Sequence, residues 1–361
     1  MGITKTFTGT SSTYTDGGWT GKLHTVQLTG LKIDGETVYH YSCDSSSEFT
    51  FKAAPPPSSF PFTIAAVADL GQECAHTKSG GEGCPNATFS ALTKAATNNE
   101  FGLLLHAGDI AYTSGQQGIW DTYHRELEPV ASRVPYAVCP GNHEAHYNFS
   151  AFRHRYRMPG EAQRTQNLWY SFDWAGMHVV SLSSEHDFAP GSAQYAWLVA
   201  DLAAAAAPAQ RARVPWLVVM AHRPIYCSTD DYYDCKVRGP TKMGPALEPL
   251  FERHGVDLGL FGHLHNYERS WPTSANGTVQ QRSYALPTAP VHVVIGGAGD
   301  DEGLTDSWEH PAPGWSAFRA GAADTMGFAR LTFRSAAEME FEWVLAKNST
   351  VLDAFTLTKR R

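Results

Sequence analysis

Phe62-Thr-Ile-Ala-Ala-Val-Ala68, followed at once by Asp69-Leu-Gly71, decides the fold. A short, nearly continuous apolar run reads as a strand buried on both faces, the kind found in sheets that helices cover. Working outward, the same pattern recurs at Gly102-Leu-Leu-Leu-His-Ala107, Val134-Pro-Tyr-Ala-Val-Cys139, Met177-His-Val-Val-Ser-Leu182, Trp216-Leu-Val-Val-Met220, Val256-Asp-Leu-Gly-Leu-Phe261 and Val291-His-Val-Val-Ile295. Helical patterns at Asn86 to Asn98, Gln117 to Leu127, Ala193 to Ala206 and Pro245 to His254 lie between these runs. Strands alternating with helices predict an α/β (α+β) sheet unit. In such sheets ligands gather where loops leave the carboxyl ends of the strands.

Five of those ends carry polar residues of one kind: Asp69-Leu-Gly71, Gly108-Asp109-Ile-Ala-Tyr112, Gly141-Asn142-His143-Glu144, Val219-Met-Ala-His222 and Gly262-His263-Leu-His265. A carboxylate directly after an apolar strand is a costly place for a charge unless a cation shares it. Taken singly, each block has a plainer reading. Asp69 serves as a helix cap or turn residue, Asn142-His143 as a hydrogen-bonded loop, and His263 and His265 as a solvated pair. Their ordered occurrence after successive strands points instead to a metal cluster. Oxygen and nitrogen donors without thiolate suit Fe(III), Fe(II), Mn(II) or Zn(II) and disfavour a structural cysteine–zinc site.

The five blocks, in this order, resemble the metallophosphoesterase superfamily. Gly71, where other members place a histidine ligand, and Tyr112, which closes Gly-Asp-x-x-Tyr, resemble its purple acid phosphatase branch. His222-Arg-Pro-Ile-Tyr-Cys227, Gly262-His-Leu-His-Asn-Tyr-Glu-Arg269, Ile295-Gly-Gly-Ala-Gly299 with Glu302-Gly303, and the β-rich segment from Asp324 to Asp353 extend the likeness from residue 22 to about 358. The resemblance implies a calcineurin-like sandwich of two mixed β-sheets flanked by helices. It implies Asp69, Asp109, Tyr112 and His265 on one ion and Asp109, Asn142, His222 and His263 on the other, with Asp109 bridging. Tyrosinate needs a strongly acidic ion near neutral pH, so Tyr112 implies Fe(III) and a purple phenolate colour, beside Fe(II), Zn(II) or Mn(II).

The activity so implied is acid phosphatase chemistry on a small phosphorylated substrate, a phosphate monoester attacked by a metal-bound hydroxide. Two other readings share the residues: a phosphodiesterase or nucleotide pyrophosphatase using the same ions, and a non-catalytic binding module. Five metal charges, less Asp69, Asp109, Tyr112 and hydroxide, leave about one positive charge to welcome the anion. His143 is expected to bind phosphate and stabilise developing charge. Plant members carry a histidine pair a short way past the His222 position, whereas Asp230-Asp231-Tyr232-Tyr233 stands here. His143 in a second role, or no acid at all for good leaving groups, are the remaining alternatives for the proton donor. Arg223 and Tyr226 are candidate rim contacts, Arg223 equally a structural ion pair. Glu268 and Arg269 are candidates for orienting the histidine loop, or for a surface salt bridge.

The 361 residues carry 28 Lys+Arg against 36 Asp+Glu, a formal charge of −8, which argues against a nucleic-acid partner. With 42% hydrophobic and 18% charged residues the chain is globular and not disordered. No apolar run nears the roughly 20 residues of a membrane helix. The start, Met1-Gly-Ile-Thr-Lys-Thr6, has no apolar signal-peptide core and fits a myristoylation pattern of the sort that occurs by chance. Lys22 to Gly30, Thr37 to Cys43 and Glu48 to Lys52 alternate as half-buried strands. His24 to Leu31 with Gly35 to Tyr39 resembles the later half of a fibronectin type III domain, in which a tyrosine near this point bonds back to the backbone. Such a sandwich needs about 100 residues. Residues 1–57, ending at Pro55-Pro56-Pro57, are therefore expected to be a truncated β-domain and linker ahead of a catalytic unit at 58–361, with missing strands and a signal peptide upstream. The close cysteine pairs Cys74/Cys84 and Cys227/Cys235 and the acceptor triplets at Asn86, Asn148, Asn276 and Asn348 suggest a disulfide-bonded glycoprotein, secreted or lysosomal/vacuolar, although six cysteines allow fifteen connectivities. Cys139 reads as a buried thiol beside the metal loop and Cys43 as one that has lost an upstream partner. The sequence leaves the oligomeric state open.

Overall fold

Strands that are apolar on both faces need a covering layer on each side, and the computed structural model provides four layers. It describes residues 5–43, 47–73, 84–230, 232–235 and 241–360. One sheet has six strands in the order Val351–Thr358, Glu338–Leu345, Gly327–Ser335, Phe62–Val67, Leu104–Ala107, Tyr136–Cys139. The last three run parallel; the three from the carboxyl-terminal segment are antiparallel. The second sheet has seven: Ser316–Ala320, Tyr267–Ser270, Val291–Ile295, Leu258–Phe261, Trp216–Ala221, Met177–Ser181, Tyr170–Trp174.

Period-two alternation assigns the two faces of each strand. Ile64 and Ala66 point between the sheets, where Val218, Met220, Leu331 and Phe341 meet them. Ala65 and Val67 point outward under Phe89, Leu92, Trp120 and Leu127 of helices Asn86–Thr97 and Gln117–Ala131. On the far side, Leu217 and Val219 lie under Leu198 and Leu202 of Ala193–Ala205 and Leu247 and Phe251 of Gly244–His254. The Gln117 helix runs past its expected end and through Pro129, because Val130 is buried in the core and the Ser132 amide donates to the Glu128 carbonyl at 2.9 Å. All five ligand-bearing blocks follow parallel strands whose carboxyl ends lie on one side of the sandwich.

The amino-terminal segment forms two small ladders, Thr10–Ser12 with Leu23–Thr25 and Val38–Tyr41 with Phe49–Lys52. Between them, the Lys32 amide donates to the Tyr39 hydroxyl at 2.7 Å. The segment is anchored to the Gln117 helix. Tyr14 donates to Gln117 at 2.8 Å, Trp19 to Asp121 at 3.0 Å, and the Arg155 guanidinium lies 4.5 Å over the Trp19 ring. No helix among the described residues is long and apolar enough to cross a membrane.

At the edge of the second sheet His178 sits between Asp173 at 2.6 Å and Asp201 at 3.1 Å. Burial opposes its proton, but the two carboxylates outweigh burial and push its pKa up from 6.5 to about 9. The stabilisation from this charge is therefore whole below pH 6.5 and is lost as pH rises through about 9. Thermal melts should show wild type more stable than His178→Gln in the acid half of that window, with the gap closing toward its upper end.

Candidate metal centre

The local backbone at the strand ends is unusual. Asp69, Asp109, Tyr112 and His263 all have positive φ, 57°, 50°, 48° and 73°. Left-handed non-glycine residues cost on the order of 1–3 kcal/mol each and persist where the surroundings over-determine them. At two positions glycine is required. A Cβ on Gly141 would stand 2.2 Å from Asp109 Oδ1, so only glycine lets that loop pass the carboxylate. Gly71, with φ of 71°, packs against Asp300 and the Tyr112 ring, and a Cβ there would lie 3.2 Å from Asp300 Cα. The Tyr112 side chain thus stands beside the place where a histidine would otherwise project.

The seven candidate ligands form two adjacent clusters. In one, His222 Nε2 lies 3.0 Å from Asp109 Oδ2, 3.1 Å from Asn142 Oδ1 and 3.2 Å from His263 Nδ1. In the other, the Tyr112 hydroxyl lies 3.0 Å from Asp69 Oδ1 and 2.9 Å from His265 Nε2. Two backbone bonds knit them: the His143 amide donates to Asp109 Oδ1 and the His263 amide to Asp69 Oδ2, both at 2.8 Å.

The donor set fits cations. His222 Nδ1 and His265 Nδ1 each face a carbonyl, of Ala107 and Gly303, at 3.0 Å. A carbonyl only accepts, so these nitrogens carry protons and Nε2 of each ring is the atom turned into its cluster, free to ligate an ion once it holds no proton. Ligand atoms are thereby crowded head to head with too few protons among them. Asp69 and Asp109 are fully buried. Burial pushes the Asp69 carboxyl well above its usual range, and the nearby Asp109 charge adds to that despite His222. Asp109 goes the other way: burial opposes its charge, but His222 and His143 outweigh it. Asp109, with smaller help from Asp69 and Glu185, pushes His222 up to about 10 against the effect of burial. Burial holds His263 down to about 2 and His265 to about 4, leaving both as neutral ligands.

Several residues of the site were not singled out from sequence. Glu144, buried, accepts the amides of Asp109 and Ile110 at 2.9 Å and of Gly141 at 2.8 Å, and so ties two ligand loops together. Its signal was an acid three residues past a loop glycine, the capping-box spacing. Burial and Asp109 push its pKa up to about 7. Glu144→Ala leaves three buried amides unpaired and should weaken metal binding about 10–100-fold, read by chelator competition. Asp300 Oδ2 lies 3.3 Å from His265 Nδ1, and Glu302 Oε1 lies 3.6 Å from His143 Nε2 at the mouth. Glu185 pairs with Arg223 at 2.8 Å.

Of the two candidate rim residues, Arg223 takes the ion-pair alternative and Tyr226 departs from expectation. Arg223 is held in that ion pair and also reaches His263 Nε2 at 2.9 Å. Tyr226 is not at the rim: it is buried, bonded to Glu248 and to the Ser274 carbonyl, because its apolar ring packs with Trp315 in the outer core. Glu268 neither bonds the histidine loop nor lies at the surface. It is buried and accepts from the Ser228 amide and the Ser228 and Ser316 hydroxyls, so its charge is met by donors of neighbouring segments. Arg269 forms a two-pronged bond to Asp353. Tyr232, in the Asp230 to Tyr233 stretch, sets its ring edge-on against His263, centroids 4.6 Å apart.

Of the two expected disulfides, Cys227–Cys235 is present. The expected Cys74–Cys84 pair is only half described: Cys84 is disulfide-bonded, its sulfur 2.9 Å from Asn86 Oδ1, whereas Cys74 lies outside the described residues. Cys139 is a buried free thiol and Cys43 is exposed. Asn86, Asn148, Asn276 and Asn348 are all exposed.

Two stacked mixed sheets whose parallel strands end in two carboxylate, imidazole, amide and phenol clusters define a binuclear metallophosphoesterase. The calcineurin-like phosphoesterase family model matches residues 62–267, and the iron/zinc purple acid phosphatase-like protein C model matches residues 289–354. Acid phosphatase type 7 of Danio rerio is 35% identical over 94% of this chain and 78% of its own length. Purple acid phosphatase 22 of Arabidopsis thaliana is 35% identical over 90% of this chain and 68% of its own. Among solved structures, purple acid phosphatase PPD1 of yellow lupin superposes with a TM-score of 0.75 at 24% identity, covering 87% of this chain and 57% of that one. The chain belongs to the calcineurin-like phosphoesterase family, in its purple acid phosphatase branch, a family of hydrolases with a binuclear metal centre.

Proposed function

We propose that the chain is an acid phosphatase acting on phosphate monoesters at an Fe(III)–M(II) centre. Asp69, Asp109, Tyr112 and His265 hold the iron. Asp109, Asn142, His222 and His263 hold Zn(II), Fe(II) or Mn(II), with Asp109 shared. The observation that carries the reading is Tyr112. Burial, and then the carboxylates of Asp300, Asp69 and Asp109, push its phenol well above its usual range, so only a strongly acidic ion makes it a ligand. When bound, the ions supply the Lewis acidity that lowers the pKa of water and offsets phosphate charge. His143 then orients the ester. Its ring leans on Tyr112, centroids 4.2 Å apart, and its Nε2 points between Asp109 Oδ2 at 3.9 Å and Glu302 Oε1 at 3.6 Å, where a phosphate oxygen can accept from it.

The test compares 4-nitrophenyl phosphate with its bis(4-nitrophenyl) diester across acidic to neutral pH. Faster monoester turnover supports the reading, and preference for the diester replaces it with a phosphodiesterase. His143→Ala should lower monoester kcat about 10²–10³-fold while elemental analysis finds both ions retained. Residues 1–57 are read as a partial fibronectin type III-like unit on a catalytic unit at 58–361. The Cys227–Cys235 disulfide and four exposed acceptor asparagines support a secreted or lysosomal/vacuolar location.

A further inference from the structure

A cavity of about 340 Å³ is lined on one side by His263, a candidate ligand of the first cluster. That volume is within the ~300–1,000 Å³ of small-molecule sites. Its lining is apolar at Phe188, Pro224 and Met243 and cationic at Arg223 and Lys242. The two cations are not equivalent. Arg223 is committed to Glu185 and His263, whereas Lys242 is exposed and has no ion-pair partner among the described residues. The wall is fixed in place. The Thr241 amide donates to the Ile225 carbonyl at 2.7 Å and its hydroxyl to the Pro224 carbonyl at 2.8 Å. Directly after Met243 the helix Gly244–His254 begins, so its positive end adds to the charge of Lys242.

An ester held at the metals must send its leaving group into a neighbouring space, and this cavity has the candidate ligand His263 in its wall. We infer that it is the leaving-group pocket, selective for esters whose leaving group has a flat ring and a second negative charge. Phe188 and Met243 take the ring, and Lys242 takes the distal anion. An aromatic face and a polarisable thioether favour a ring over an alkyl chain. An exposed ammonium with no ion-pair partner among the described residues favours an anion over a neutral group. The inference rests on the phosphatase reading and names which monoesters that site prefers.

The test uses the holoenzyme and three esters: glycerol phosphate, phenyl phosphate and 4-carboxyphenyl phosphate. The two phenols are similar leaving groups and differ mainly in the distal charge. Phe188→Ala should lower the ratio of aryl to glycerol kcat/KM about tenfold, the scale of one aromatic contact. Lys242→Glu should lower the ratio of carboxyphenyl to phenyl kcat/KM about fivefold at low salt, and less at high salt, because an exposed charge is screened. Ratios that neither variant moves would overturn the pocket while leaving the phosphatase reading intact. Absence of turnover of all three esters by wild-type protein with both ions bound would overturn that reading and the pocket with it.

Discussion

Asp109→Asn is expected to empty both metal positions and lower kcat/KM about 10³-fold or more. Several kcal/mol of charge stabilisation are at stake, at 1.36 kcal/mol per tenfold. Asparagine keeps the volume and still accepts the His143 amide that Asp109 Oδ1 takes at 2.8 Å, so the loop is held as before. What is lost is the charge of the carboxylate whose Oδ2 lies 3.0 Å from His222 and which is proposed to serve both ions. Against burial, that carboxylate does most to push the His222 pKa up to about 10, with smaller contributions from Asp69 and Glu185. Without it, His222 loses its nearest carboxylate. Elemental analysis and turnover together check the result. A variant that retains two ions and turns over within tenfold of wild type would remove Asp109 from the bridging position.

How far the sequence exposes this architecture depends on what buries each element. The parallel strands were legible because both faces are covered by apolar layers, so Phe62–Val67 and Val291–Ile295 read as continuous apolar runs. Three strands of the second sheet were not. Tyr267–Ser270 is wholly buried yet reads Tyr-Glu-Arg-Ser, because its polar groups are met by distant partners: Asp353 for Tyr267 and Arg269, and Ser228 and Ser316 for Glu268. Tyr170–Trp174 and Ser316–Ala320 are edge strands with half-covered faces. The same physics governs the site. Ligands stand beside glycines at strand ends and so carry a local signature, whereas the roles of Glu144, Asp300 and Glu185 depend on amides and rings that only the folded chain brings near them. Tyr226 and Glu268 failed as site candidates for the converse reason: proximity in sequence to His222 and His265 did not translate into side chains that face the metals.

Tyr112→Phe is expected to bleach the purple band while leaving the fold and the second ion in place. The colour follows from electron transfer between a phenolate and Fe(III), so it needs the oxygen and not the ring. Phenylalanine preserves the ring, which packs against His143 at 4.2 Å and beside Gly71, so the cavity and thermal stability should change little. Losing the hydroxyl removes a donor to Asp69 Oδ1 at 3.0 Å, which an ion on that carboxylate replaces. The phenolate is also one of the negative charges that favour Fe(III) over Fe(II), so the variant should bind iron less tightly and be reduced more readily. Monoester turnover should fall less than in Asp109→Asn, since in the proposed centre Tyr112 would hold one ion and Asp109 both. The visible spectrum, with metal analysis on the same sample, separates the outcomes. A colourless wild-type protein carrying two zinc or manganese ions would overturn the iron assignment and leave the hydrolase standing, while a band that survives in Tyr112→Phe would move the phenolate to another residue.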